Sequence, residues 1–489
     1  MKFAMARRNE ITLVAALTLL GAALRVFQLG ASSLWLDELF SVFVARRDVA
    51  QVIAGTAQGD TNPPLFNLLL HFALMVRDDE IGARSLSLIF SVIAIPLLYA
   101  LARGWFDPRV GLVSALFLAI NPYHLFYAQE ARMYALLACA ALAAMFFFAH
   151  AWRTNHARAW LGFAIAMTCA FYTHSLAFLN LLALDVFALT QRAQWRACWR
   201  GWLSAHLALA LAFAPWLAFL FDQWTRVQTG FWVSAPSPSV LLATIFLFLF
   251  GTALPAFVLP FAFFGALVWL GLALIAAIRA ERHRIGLQFA SIVLSAPLAL
   301  LYAISFARSV YIERVIIPAS FGLIVLLAWA TVHAKPVILQ RALAALVFCA
   351  MFAAWLNYSW DADQRKPPMR DAARALAARF QPGDAIAHTS DSSALAFAYY
   401  APELPNDFLA GDPDYLAATT RGQSGRIAGL APKNLQAVIA QRARVWLIVA
   451  LDHNVEYQIS RVRELDGLLT RATRETVGGI DILLFEARR

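Results

Sequence analysis

The chain reads as a polytopic α-helical membrane protein of about eleven transmembrane helices, followed by a small C-terminal α/β domain outside the bilayer. Three observations predict this. Its 489 residues are 61% hydrophobic, with a mean hydropathy of +0.64, more apolar surface than a soluble fold of this size buries. Apolar runs of about 17 to 25 residues recur along the first three quarters, the length that crosses roughly 30 Å of hydrocarbon. From Tyr358 onward those runs stop, and short apolar segments alternate with turn residues.

The spans fall near residues 11–29, 82–102, 109–127, 131–150, 160–175, 176–191, 201–221, 257–278, 287–306, 314–332 and 338–357. Loop charge orders them. Lys2/Arg7/Arg8, Arg103/Arg109, Arg153/Arg158, Arg192/Arg196/Arg200, Arg279/Arg282/Arg284 and Lys335/Arg341 occupy alternate loops. The positive-inside rule places those loops and the N-terminus in the cytoplasm and the C-terminal part outside. Leu241–Leu254 is apolar enough to cross, but it is short and bounded by Pro236, Pro238 and Pro255. Counting it would move Arg279, Arg282 and Arg284 outside, so segment 239–255 is expected to be interfacial or re-entrant. Basic Met1–Arg8 precedes a long apolar run with no small-residue cleavage site, as in a retained signal anchor.

The net charge of +10 sits wholly in the membrane part, since residues 358–489 carry 16 basic and 16 acidic residues. Scattered between spans, that excess sets topology and gives no basic face for nucleic acid. Cys139, Cys169, Cys198 and Cys349 all lie in or beside spans, so no disulfide framework is expected in the C-terminal domain. Arginine-rich, lysine-poor, alanine-rich usage points to a bacterium and hence to its cytoplasmic (inner) membrane. The expected domains are residues 1–357, the membrane part with an extracytoplasmic first loop over 30–81, and residues 358–489, an extracytoplasmic α/β domain. In that loop, Pro63-Pro64 starts a helix whose apolar run, Leu65–Phe72, is too short to span and lies along the membrane surface. In the tail, Pro368–Phe380 reads as a helix, Pro382-Gly383-Asp384 as a turn, and Ala385–His388, Val445–Val449 and Asp481–Phe485 as strands.

Acidic residues at a membrane boundary are costly and tend to mark function. Seven of the membrane part's fourteen acids lie in the first loop, and Asp37-Glu38 directly follows Trp35-Leu36 after the first span. A carboxylate held among apolar groups beside a like charge has a raised pKa, which suits proton abstraction. Hydrated loop surface is the plainer account, and location argues against it. A second constellation, Asn121-Pro122-Tyr123-His124 and Gln129-Glu130-Ala131-Arg132-Met133-Tyr134, stands at the outer end of the third span. Pairing of Glu130 with Arg132 at a helix start accounts for the glutamate. It accounts less well for Arg132 and Tyr134 at a boundary where an anionic headgroup would meet them. Arg84, His174, Arg226, Arg308, Tyr311, Glu313 and Arg314 are further outer-face candidates, although His174 reads more simply as a capped loop residue and Arg314 as a snorkelling one. The triplets Asp361-Ala362-Asp363 and Asp412-Pro413-Asp414 have the spacing of nucleotide-sugar metal sites, a pattern common by chance. No phosphate-binding glycine loop and no H-E-x-x-H is present.

Taken in order, the acidic pair, Asn62-Pro63-Pro64-Leu65, Ala83-Arg84-Ser85 and Gln129–Tyr134 resemble the family 39 glycosyltransferases, relatives of protein O-mannosyltransferases and of the aminoarabinose transferase of lipid A. The usual histidine of the proline segment is replaced here by Asn62. The resemblance implies a GT-C-like fold and transfer of a sugar from a polyprenyl phosphate to a lipid, glycan or protein hydroxyl on the outer face, with inversion. It makes Asp37 the general base and Glu38 its partner at the acceptor. It assigns the donor phosphate to Arg132, Arg84 and Arg314, and the substrate pocket to Asn62, Glu130, Tyr134 and His174. No metal ligand set and no cofactor is required, with a divalent cation an open alternative. The competing reading, a transporter or lipid flippase, calls for ionisable groups at mid-bilayer, where Asp185 is the main exception in an otherwise apolar set of spans.

Overall fold

A computed structural model describes residues 2–229, 233, 235–409, 425–440, 442–450 and 455–488. The chain forms two compact units: Met1–Gln28, Arg84–Leu220 and Phe231–Gln364 make the first, and Leu29–Ala83, Phe221–Gly230 and Arg365–Arg489 the second.

The first unit is helical, and the protein is a multi-pass membrane protein. Each of the eleven expected segments is helical, 109–127 as two helices, but the count of eleven spans is not met by length alone. Among the described residues seven helices are long and apolar enough to cross, or eight if Pro108–Ile120 and Pro122–Ala128, bent by 56°, form one span. Ala157–Thr173, Phe178–Thr190 and Ala319–His333 are shorter. Arg314 does not open a helix: it lies on the 3-10 turn Glu313–Ile316 that precedes Ala319–His333. Segment 239–255 contains one 12-residue helix, Ser239–Phe250, about 18 Å long at 1.5 Å per residue, which is short of a bilayer.

The bend after Ile120 has local causes. Asn121 ends one helix and caps the next, its Oδ1 accepting from the His124 N–H at 3.0 Å, and Pro122 occupies the first helical position where no N–H is needed. Nδ2 of Asn121 donates to the Phe248 carbonyl at 2.9 Å, tying the bend to Ser239–Phe250. The carbonyls left over at the end of Pro108–Ile120 are taken by Arg25, fully buried on the first helix. Its Nη1 donates to Ala119 O (2.9 Å) and Gly21 O (3.0 Å), Nη2 to Leu118 O (3.0 Å), and Nε to Ser91 Oγ (2.7 Å). A cation at a helix C-terminus is favoured by the dipole as well.

The second unit joins the first loop to the tail. This departs from the expected boundary, which assigned residues 30–81 to the membrane part. The loop folds as helices Leu36–Ala45, Val49–Gly59 and Leu65–Val76. The tail holds a six-stranded sheet: β1 (Ala385–His388), β2 (Asp407–Leu409), β3 (Pro432–Lys433), β4 (Arg444–Val449), β5 (Thr470–Val477) and β6 (Ile480–Glu486), in the order β3-β2-β1-β4-β6-β5. β1 pairs in parallel with β2 and β4, while β6 runs antiparallel to β4 and β5. Alternation along the central strands splits the core between two faces. Ala385, Ala387, Val445, Leu447, Val449, Leu483 and Phe485 pack with Leu435, Val438 and Leu465 of helices Leu435–Ile439 and Val455–Leu468. On the other face Phe408 meets Ala394 of helix Asp391–Tyr400.

Loop and tail are held together by specific bonds. Arg370 donates to Gly30 O (3.3 Å), Ala31 O (3.0 Å) and Glu80 Oε1 (2.8 Å), and its backbone N–H to Ser33 Oγ (3.1 Å). The Leu34 N–H donates to the Tyr400 hydroxyl at 2.7 Å. Burial and nearby Glu80 push that hydroxyl well above its ordinary range, so it stays protonated.

Candidate active site

The acidic pair opens helix Leu36–Ala45, where carboxylates in the first turn complement the dipole. The two acids are placed differently. Glu38 is fully buried, and its Oε2 accepts from the Trp35 N–H at 3.3 Å and lies 2.9 Å from Lys366 Nζ. Asp37 is half-buried, and its carbonyl accepts from Ser41 Oγ at 3.1 Å. Asn62 is also buried. Its amide donates to Asp60 Oδ1 (3.2 Å) and Thr61 Oγ1 (3.2 Å), and its carbonyl accepts from Gln223 Nε2 (3.2 Å). Those bonds give Asn62 the work of shaping the turn before Pro63-Pro64.

The remaining predicted residues belong to the first unit. Arg84 is buried in the opening turns of helix Glu80–Trp105. Glu130 and Arg132 lie in the turn between Pro122–Ala128 and the helix that begins at Tyr134, so Glu130 is not in a first helical turn as expected. Both are buried, the Arg132 N–H donates to Glu130 O at 2.7 Å, and Ser87 Oγ donates to Arg132 O at 3.1 Å. The Arg314 guanidinium stands over the Tyr134 ring, 5.4 Å from its centroid, and the Tyr134 and His174 rings are 6.4 Å apart. Tyr134 also meets Tyr127 edge-on at 5.1 Å. His174 Nδ1 accepts from the Leu176 N–H at 3.0 Å, which leaves the ring proton on Nε2. Buried Glu130, Arg132, Tyr134, His174 and Tyr127 thus gather with half-buried Arg314 into one aromatic-walled cationic cluster.

Sequence reasoning placed His124 and Gln129 in the second constellation but not the bonds by which they support this cluster. His124 Nε2 lies 2.8 Å from Ser320 Oγ, whose proton goes to Ile317 O at 2.7 Å, so the imidazole donates. That bond ties the Asn121–Tyr134 segment to the start of helix Ala319–His333, just after the turn that carries Arg314. Gln129 Nε2 donates to Arg25 O (2.9 Å) and Phe27 O (2.8 Å), fixing the segment to the first helix. The lone Arg25 inside the first apolar run was the visible signal. Asp185 is bonded by Trp202 Nε1 (2.8 Å) and lies 3.2 Å from His206 Nε2, which makes it a helix-to-helix contact. Tyr311 bonds Thr244 Oγ1 at 2.8 Å. Asp361 accepts from the Asp363 N–H at 3.0 Å within its own turn, and Asp412–Asp414 lies outside the described residues. Among the described residues no group of three or more His, Cys, Asp or Glu side chains is arranged to hold a metal ion.

Comparison with known proteins bears on the fold. A model of the dolichyl-phosphate-mannose-protein mannosyltransferase family matches residues 61–219, a stretch that contains Asn62, Arg84, Glu130, Arg132, Tyr134 and His174 but neither the acidic pair nor Arg314. No curated protein matches the chain. Among solved structures, ArnT from Cupriavidus metallidurans in the apo state is similar over 98% of both chains, with a TM-score of 0.67 at 13% identity. The same protein bound to undecaprenyl phosphate aligns over 97% of both chains, with 0.65 at 14%. The archaeal oligosaccharyltransferase AglB from Archaeoglobus fulgidus, in complex with an inhibitory peptide and a dolichol-phosphate, aligns over 98% of this chain and 74% of its own, with 0.51 at 11%. At these identities the likeness is one of fold. The chain has the architecture of these proteins, as the resemblance of its motifs to the family 39 glycosyltransferases implied.

Proposed function

We propose that the chain is a membrane glycosyltransferase that moves a sugar from a polyprenyl-phosphate donor to an acceptor hydroxyl on the extracytoplasmic face. The observation that carries this is the cluster of buried Arg132 and half-buried Arg314 with Tyr134, Tyr127 and His174 at the ends of apolar helices, in a fold shared with an ArnT captured with undecaprenyl phosphate. A lipid phosphate leaves with its charge already delocalised, and cationic donors in a dry site stabilise that charge strongly. Arg132, Arg314 and Arg84 take this role, with His174 Nε2–H a further donor. The donor set suffices without a divalent ion.

The acceptor hydroxyl must lose a proton as it attacks. Asp37, half-buried and in a helix's first turn, is the base, and such help contributes about 10²- to 10⁴-fold. Attack opposite the leaving phosphate forms one bond as the other breaks, so the anomeric configuration inverts. The test is transfer from a labelled polyprenyl-phosphate sugar by the full chain in proteoliposomes. Asp37→Asn is expected to lower kcat by at least about 100-fold with donor KM little changed, whereas Arg132→Ala raises donor KM. Parental kcat in Asp37→Asn removes the base assignment. Absence of transfer by the parent from any lipid-linked sugar removes the reading as a whole.

A further inference from the structure

Glu38 presents a problem that its neighbours solve. A carboxylate taken out of water is tolerated only when paired and hydrogen-bonded, and Glu38 is fully buried. Lys366, itself only 12% exposed in its side chain, stands 2.9 Å from Oε2. Its Nζ also lies 5.9 Å from the Trp35 ring centroid, close enough for a cation–π contribution. The Trp35 N–H bonds the same oxygen at 3.3 Å. The lysine, the tryptophan and the carboxylate together close the first turn of Leu36–Ala45.

Lys366 reaches this place from the far end of the sequence, and the chain around it is anchored. Pro367-Pro368 follows and restricts the backbone there. Four residues on, Arg370 bonds Gly30 O, Ala31 O and Glu80, and its N–H bonds Ser33 Oγ. Residues 365–370 are therefore fastened to residues 30–33, immediately before Trp35, and the lysine is held in register with Glu38. Adjacent residues of a helix point about 100° apart. Asp37 accordingly leaves the helix in a different direction from the buried Glu38.

We infer that Lys366 is a positioning residue of the candidate active site, holding Glu38 as a buried anchor so that Asp37 is the working carboxylate of the pair. This rests on the glycosyl-transfer reading. It gives the two acids separate tasks: Glu38, paired with Lys366 and bonded by the Trp35 N–H, with no exposed surface, fixes the helix start, and Asp37 meets the acceptor. It also gives the segment after the last apolar helix a direct part in the chemistry of the first loop.

The test uses the full chain in proteoliposomes with the labelled lipid-phosphate sugar, reading kcat and donor KM separately. Lys366→Met is expected to lower kcat on the order of 10²-fold, as a misplaced base does, with donor KM within about 3-fold. Lys366→Arg recovers most of the rate, since it restores the cation. The double variant Lys366→Met/Glu38→Gln is no slower than Lys366→Met alone, because the two residues act as one unit. It also guards against misfolding, as it leaves no lone buried charge. A folded double variant with parental kcat overturns the assignment, as does a loss equal to the product of the two single losses. An active parent indifferent to Lys366 removes only this inference, whereas a parent that transfers no sugar removes the underlying reading with it.

Discussion

Arg25 shows how much one buried charge can organise. An arginine inside an apolar helix would cost several kcal/mol with its donors unmet; here they meet Leu118 and Ala119, the last carbonyls before the bend at Asn121, together with Gly21 O and Ser91 Oγ. Arg25→Met strands those carbonyls and is expected to destabilise the protein by about 2–4 kcal/mol. Arg25→Lys should recover under half of that, since an ammonium cannot reproduce the planar fork. The melting midpoint of purified protein in detergent checks both, and an unshifted Met variant would show that the carbonyls find other partners. His388 offers a second residue-scale expectation. Buried on β1, it contacts Asn406 Oδ1 (3.1 Å) and Ser393 Oγ (3.2 Å), and burial holds its imidazole down to about 4 from an ordinary 6.5. The folded state thus keeps the ring neutral while the unfolded chain takes up a proton first. Stability is present above about pH 6.5 and is lost as pH falls towards 4, by about 2 kcal/mol at pH 5. Hydrogen exchange of β1 and β4 amides, corrected for the intrinsic pH dependence, should show this loss, and His388→Gln should abolish it.

At the scale of elements, legibility followed burial. The apolar helices were readable because a segment facing lipid or the helix core is apolar along its whole length, and β4 and β6 because central strands covered on both faces are rich in Val, Ile, Leu and Phe, while β1, Ala-Ile-Ala-His, was marked by the turn before it. β5 was not readable. Thr470–Val477 is an edge strand with no buried position, held by ladder bonds to β6 and by ion pairs such as Arg474–Asp481 at 2.8 Å, so no hydrophobic alternation marks it. β2 and β3 have only three and two residues. The helices of the first loop were missed for another reason: Leu36–Ala45 and Val49–Gly59 bury faces against partners far along the chain, which local periodicity does not reveal. The site divides in the same way. Asp37, Glu38, Arg132 and Arg314 stood out as charges at apolar boundaries, whereas Lys366, His124 and Gln129 act through contacts with residues about one hundred to three hundred positions away.

For the molecule as a whole, the packing of the second unit constrains how often the chain crosses the bilayer. Leu29–Ala83, Phe221–Gly230 and Arg365–Arg489 form one compact body, and a body made of three segments lies on one side of a membrane only if an even number of crossings separates each from the next. On the eleven-span reading, Glu80–Trp105, the bent pair Pro108–Ala128, Tyr134–Thr154, Ala157–Thr173, Ser175–Thr190 and Arg192–Leu220 would supply six between the first two segments. On the same reading, Leu259–Ile278, Arg284–Ala307, Ala319–His333 and Val337–Trp360 would supply four between the second and third. Adding Ser239–Phe250 would make that count odd and carry the tail away from the loop it is bonded to, so this 12-residue helix is expected not to cross. Loop charge reaches the same answer independently, because it keeps Arg279, Arg282 and Arg284 inside. Single cysteines at Gln51, Glu456, His156 and Glu281, in a background with Cys139, Cys169, Cys198 and Cys349 replaced by serine, test it with a membrane-impermeant maleimide. Gln51→Cys and Glu456→Cys are expected to label in intact cells, and His156→Cys and Glu281→Cys only after permeabilisation. Labelling of Glu281→Cys from outside would mean that Ser239–Phe250 spans the bilayer. Opposite accessibility of positions 51 and 456 would mean that loop and tail do not share a side, and the assignment of Lys366 to Glu38 would fall with it.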